Sequence, residues 1–276
     1  MNAPLPQDTH LPAHARARGA VRARFAANRG RSAIADLYEA GGLRLRFPRG
    51  TAGCEAVLVN TGGGVAGGDT AALSFHACAD ADVTLTTQAA EKIYRAQNIA
   101  ARINLDLVAE EGARLEWLPQ ETILFDGARL TRDFTLCAAE TARVTLLEAT
   151  VFGRLAMGER DISGLLADRW RLRRAGKLVF AEDLRLEGEI AAILDRKACG
   201  AGARATALLL HMSPDAESLL EPVRESLSAA PCSAGASAWN GLLCVRLMSP
   251  APEKMRAALS PLLEILRGRP APRVWQ

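Results

Sequence analysis

The chain has 276 residues, of which 49% are hydrophobic, 24% charged and 5% aromatic, with a formal net charge of +3. It is long enough to bury a substantial core, and too nearly neutral for its charge alone to imply a nucleic-acid partner. Every uninterrupted apolar run falls short of the roughly 18 residues that a membrane-spanning helix needs.

Met1 to Leu11 lacks the apolar segment of a signal peptide. The six cysteines, Cys54, Cys78, Cys137, Cys199, Cys232 and Cys244, show no CxxC spacing and read as reduced thiols of a cytoplasmic protein. Residues 1–15 carry Pro4, Pro6 and Pro12 and are expected to form a disordered tail before a single domain over residues 16–276. Arg16, Arg18, Arg22 and Arg24 then alternate with Ala17, Val21, Ala23 and Phe25, the pattern of a strand with one apolar and one cationic face. That basic face suits docking to an acidic partner.

Leu43 to Phe47 alternates next, and Ala56 to Val59 is a short apolar run. Behind it, Gly62, Gly63, Gly64, Gly67 and Gly68 crowd the segment Thr61–Asp69. Gly62-x-Gly64-x-x-Gly67 matches the dinucleotide-binding string, but that site needs a helix directly afterwards, its N–H groups facing the pyrophosphate. Here Leu73, Phe75 and Ala77 alternate instead, so the glycines predict a bend between strands. No Lys-Ser/Thr pair closes the run, which argues against a phosphate loop.

Strand patterns continue at Val83–Thr87, Ile103–Leu107, Leu130–Leu136, Val144–Val151, Trp170–Leu172 and Leu184–Leu186, with a hairpin turn at Arg174–Lys177. Ser213-Pro214 with Asp215 and Glu217 predicts a helix to about Leu227 with Ser213 as its cap. Gly241–Met248 reads as a strand, and a second helix begins near Pro252, with Met255, Leu259, Leu262, Leu263 and Leu266 on one face and Pro261 as a kink or break. The fold class is therefore mainly β, with antiparallel sheets packed in layers and about two helices near the C-terminus. No internal sequence repeat is visible.

Catalytic chemistry does not assemble. There is no G-x-S-x-G or HExxH, His10 and His14 flank Pro12, and His76 and His211 read as surface or packed residues. Imidazole and thiol ligands do not cluster along the chain, so no tight metal cage is expected.

Several polar segments occur in a telling order: Asn60–Asp69, Thr86-Thr87-Gln88 with Tyr94-Arg95, Glu116-Trp117-Leu118-Pro119-Gln120-Glu121, Phe152-Gly153-Arg154 with Gly158-Glu159, Gly176-Lys177-Leu178, and Pro272-Arg273-Val274-Trp275. From about Arg16 to Trp275 this order resembles the urease accessory protein family UreD, also called UreH. The resemblance implies an elongated, largely β domain with a non-catalytic role in the cytoplasm. Its partners would be apo-urease and UreF, with the GTPase UreG recruited through UreF and two copies of this chain joined through a UreF dimer. Neither nucleic acid nor membrane would be a partner.

The resemblance implies no tightly bound cofactor, only nickel in transit through a polar interior, which requires oxygen and nitrogen groups that release the ion. Asp69, Glu148 and Glu159 are the candidate path residues. Gly62, Gly63, Gly64, Gly67, Gly68, Thr86, Thr87, Gln88, Tyr94, Arg95, Trp117, Pro119, Glu121, Gly153, Arg154 and Gly158 are the structural or partner-facing motif residues. Two alternatives stand beside this reading: a β-rich enzyme acting on a sugar or nucleotide through the Gly62–Asp69 loop, and a nucleic-acid-binding β protein using the arginine face.

Overall fold

The computed structural model describes residues 16–48 and 53–275, so the expected tail lies outside the described residues. β1 (Arg18–Asn28) and β2 (Arg31–Ala40) form an antiparallel hairpin, and β3 (Leu43–Arg46) pairs antiparallel with β4 (Cys54–Asn60). The chain then winds in coils. β5 (Thr70–Ala77), β8 (Ala101–Ala109) and β11 (Ala128–Ala138) lie in one sheet, while β6 (Asp82–Thr87), β9 (Arg114–Leu118) and β12 (Arg143–Phe152) lie in the other. Two short strands, β7 (Glu91–Ile93) and β10 (Thr122–Leu124), pair with each other on the return paths. β13 (Gly164–Arg174) and β14 (Lys177–Gly188) complete the first sheet, of seven strands.

After the short helix α1 (Ile190–Asp195) come β15 (Ala205–Met212), α2 (Leu220–Ser228), β16 (Ser233–Trp239), β17 (Leu242–Ser249) and α3 (Pro252–Arg267). The second sheet is ordered β16-β17-β15-β12-β9-β6-β4-β3, with β10 beside β12. The layered, mainly β architecture agrees with the sequence. Strand direction does not: β1, β5, β8, β11 and β13 are parallel neighbours, as are β4, β6, β9 and β12. The cause is the coiling. Tight turns closed by Ala81 N–H to Cys78, Ala113 N–H to Glu110 and Ala142 N–H to Ala139 carry the chain from the first sheet to the second, and each coil returns in the same direction. Alternation of side chains is the same in either direction, so sequence periodicity could not separate them. The stacked coils also form a structural repeat that the sequence does not display.

Period-two patterning sets the core. Val21, Ala23 and Phe25 of β1 are buried while Arg18, Arg22 and Arg24 are exposed, the two-faced strand expected. Inward residues of both sheets meet in one cluster, where Phe134 stacks on Trp170 (4.0 Å between centroids) and Phe75 on Trp117 (5.8 Å). β12 is buried on both faces, because the far side of its sheet is covered by α2 and α3. Met255, Leu259, Leu262, Leu263 and Leu266 of α3 supply that cover, and Pro261 sits within the helix without ending it. The Arg174–Lys177 hairpin is as expected, with Ala175 (φ 46°) and Gly176 (φ 78°) in the left-handed region that a two-residue turn requires.

The Ser213 cap is corrected. Ser213 is buried and its N–H bonds to the Gly241 carbonyl (3.0 Å), extending the strand edge; a 3-10 turn at Ala216–Leu219 follows, and α2 begins only at Leu220. Among the described residues no helix is long and apolar enough to cross a membrane.

Candidate functional site

β11, β13 and β12 each carry one charged residue at a position whose neighbours two places away face the core. Arg132 lies between Leu130 and Phe134, Asp168 between Leu166 and Trp170, and Glu148 between Leu146 and Thr150. All three are therefore driven between the sheets, at 3%, 7% and 8% exposure. Arg132 grips Asp168 with two bonds, Nε to Oδ1 (2.8 Å) and Nη2 to Oδ2 (2.5 Å), and donates Nη1 to Glu148 Oε2 (2.5 Å) and to Thr122 Oγ1 (3.1 Å). The indole N–H of Trp117 donates to Glu148 Oε1 (2.8 Å). Burial pushes the Glu148 carboxyl upward, against the opposing pull of Arg132 and Trp117. The two carboxylates raise Arg132 above its ordinary value although burial acts the other way.

One guanidinium faces two carboxylates, so with both acids ionised the cluster holds a net charge of −1. It floors a cavity of about 670 Å³ between the sheets, near their β14 and β16 edges. Leu186, Leu208 and Leu247 are among its apolar walls, and Glu182 and Arg246 line it as well. Those last two form an ion pair that ties β14 to β17 across the layers. Such a chamber can hold a hydrated cation against acceptor oxygens without enclosing it in a closed ligand set.

Of the expected path residues, Glu148 lines this cavity and Asp69 and Glu159 do not. Asp69 closes the glycine bend, accepting the N–H groups of Ala17 (2.8 Å) and Ala66 (2.8 Å). Glu159 is held by Arg154 through Nε and Nη2 (both 3.0 Å) and accepts the Arg154 amide (2.9 Å). The Arg154 bonds bring the Glu159 carboxyl down to about 2.

The motif residues meet at two places. At the first, Gly62–Gly68 lead straight into β5 with no helix behind them, and Tyr94 donates its hydroxyl to the Gly63 carbonyl (2.9 Å). Tyr94 packs edge-on to Phe125 (5.3 Å), Arg154 lies over the same ring (4.5 Å), and Arg95 pairs with Asp126 beside them. Gly153 and Gly158 turn the chain around Glu159. Gly64 is required by close approach: a Cβ there would stand 2.4 Å from Tyr94 Cε2 and 2.9 Å from the Lys92 carbonyl. Gly64→Val should cost about 1–3 kcal/mol, read as a lower urea midpoint with unchanged slope.

The second place is the contact with α3 and the C-terminal residues. Glu116 faces outward from β9 to Arg267 (2.9 Å) and Arg269 (3.0 Å), Glu121 pairs with Arg256 (2.9 Å), and Trp275 donates to the Leu118 carbonyl (3.0 Å). Pro119 is buried beside them. Thr86 donates to the Leu118 carbonyl (2.6 Å) and Thr87 accepts the Gln120 amide (2.8 Å), whereas Gln88, its amide bonded to the Leu58 carbonyl (3.0 Å), lines a hollow with Asn60 and Gly63 at the glycine bend. Trp117, on the opposite phase of β9, turns inward to the charged cluster.

Over residues 17–276 the chain matches the family model of the UreD urease accessory protein. The chain belongs to the UreD family. It is 51% identical over 260 residues to the urease accessory protein UreD of Xanthobacter autotrophicus, covering 94% of this chain and 90% of that one. The UreD of Beijerinckia indica subsp. indica is 46% identical over 262 residues, covering 94% and 97%. Sequence reasoning reached Glu148 but missed Arg132 and Asp168. The signal was present: in this UreD chain an ion of each sign occupies the apolar phase of neighbouring strands.

His211 is packed, as expected, with Nδ1 2.9 Å from Thr145 Oγ1. Burial pushes it down to about 4 from an ordinary 6.5. Between those values the unfolded chain binds a proton that the folded chain refuses, so stability should fall as pH drops through that window, by up to about 3 kcal/mol. His211→Gln should flatten that slope in denaturant titrations compared at about pH 7 and about pH 4.5.

Proposed function

We propose that this chain is a non-catalytic cytoplasmic scaffold that binds apo-urease and UreF, works with the GTPase UreG recruited through UreF, and assists nickel delivery to the urease site. The observation that carries the reading is the cavity floored by Arg132, Glu148 and Asp168 in a chain of the UreD family. Nickel is cargo here. A path for it must lower the cost of leaving water without binding so tightly that release stalls. A residual negative charge with hydroxyl neighbours meets both needs, and the raised Glu148 carboxyl is suited to exchanging a proton for a cation. The loop cluster around Tyr94, Phe125 and Arg154 is the partner-facing surface in this reading, with Met157, whose N–H bonds to the Arg154 carbonyl, exposed beside it.

The test is co-expression of urease with its other accessory proteins, with and without this chain. Activity and bound nickel should both drop sharply in its absence. Full activation without it at physiological nickel would overturn the proposal.

A further inference from the structure

At the opposite phase of the first sheet, three potential ligands of different chemistry converge outside the cavity. His76 and Cys78 are two residues apart at the end of β5, so strand periodicity turns both to the same face. Glu110 follows β8, the parallel neighbour of β5, and the register His76–Val108, Ala77–Ala109 brings it opposite Cys78. Backbone bonds hold that extension in place: Cys78 N–H to the Phe25 carbonyl (2.9 Å) and Glu110 N–H to the Ala77 carbonyl (3.0 Å). The imidazole, thiol and carboxylate ligand atoms all lie within 4.8 Å of one another, and all three residues are half-buried. None of the three lines the cavity.

We infer that His76, Cys78 and Glu110 form a divalent transition-metal site, separate from the cavity and open to solvent at its fourth position. The ligand set selects the ion. A mixed nitrogen, sulfur and oxygen donor set favours zinc, cobalt or nickel over magnesium or calcium, which prefer all-oxygen shells.

The His76–Glu110 pair needs little adjustment. His76 Nε2 and Glu110 Oε1 are 2.7 Å apart in a hydrogen bond, whereas two such ligands around a tetrahedral ion at about 2.0–2.1 Å stand roughly 3.4 Å apart. A sub-ångström opening of that pair admits the ion. Glu110 Oε2 meanwhile keeps the Ala79 amide (2.8 Å), which fixes the carboxylate as an outer partner would. Binding converts the Cys78 thiol to a metal thiolate and releases its proton to solvent, so affinity rises with pH. Arg24, opposite His76 on β1, places a positive charge beside the cluster and holds the affinity below that of a closed structural site.

The test uses the reduced full-length chain titrated with cobalt(II) under exclusion of oxygen, and no step reads urease activity. A saturable thiolate-to-cobalt charge-transfer band is expected. Cys78→Ser should abolish it, while His76→Gln and Glu110→Gln should each weaken binding about tenfold or more. Cys137→Ser, at an exposed cysteine that does not line the cavity, should leave it unchanged. As a readout independent of variants, zinc should protect Cys78 of the unaltered chain from alkylation, located by mass spectrometry. Absence of the band, its survival in Cys78→Ser, or alkylation of Cys78 at the same rate with and without zinc would overturn the assignment and leave His76 and Glu110 as a hydrogen-bonded surface pair.

Discussion

Arg132→Met should destabilise the fold by about 3–5 kcal/mol, the loss expected when one member of a buried ionic cluster is removed. The reason lies in what stays behind. Glu148 and Asp168 would face each other at 8% and 7% exposure with no cation between them. One carboxyl must then be protonated, or water must enter the cavity. Equilibrium urea unfolding checks the magnitude. Adding Glu148→Leu and Asp168→Leu to Arg132→Met should recover most of the loss, because an apolar set of similar volume often equals or exceeds a buried ion cluster in stability. If the triple variant is as unstable as the single one, charge burial is not the cause. A triple variant that folds well and fails to support nickel delivery would separate the cluster's functional role from its structural one.

Glu148→Gln should reduce urease nickel loading by about tenfold or more, the scale seen when one polar partner around a metal is altered. The substitution keeps the volume and can still accept the Trp117 indole N–H, but it removes the charge in excess over Arg132 and brings the cluster to neutrality. Asp69→Ala and Glu159→Ala provide the contrast. Their carboxylates cap loops outside the cavity, so soluble complexes carrying them should load nickel at close to the normal level while their loops become more protease-sensitive. Equal losses from all three substitutions would remove the cavity from the account. Both arms are read as nickel per urease active site in purified complexes, compared at equal amounts of assembled protein.

Much of this molecule is local in origin. Alternation of apolar and polar residues located strands such as β1, β5, β8 and β11, which bury one face. It passed over the largely exposed β2 and β16 and the almost wholly buried β15, where one-sided burial is absent. The same pattern turned the β1 arginines to solvent and the α3 leucines to the core. Rejection of a dinucleotide site likewise needed only the strand pattern behind Asp69, and the order of short polar motifs was enough to indicate the family. The direction of pairing was different. It depends on where each coil returns after Cys78–Ala81, Glu110–Ala113 and Ala139–Ala142, a property of paths some thirty residues long that side-chain alternation does not encode.

The two constellations of interest have the same origin. Arg132, Glu148 and Asp168 were visible one at a time as charges out of phase with apolar strands, yet their mutual compensation exists only because β12 packs across from β11 and β13. His76 and Cys78 stand two places apart, a pairing that the reading of scattered imidazole and thiol ligands passed over, and Glu110 joins them only through the parallel β5–β8 ladder. Burial preferences and backbone periodicity act within a few residues and can be read along a string. Coulombic pairing, metal ligation and cavity formation depend on distances between segments, and those distances came into being only when the coils stacked.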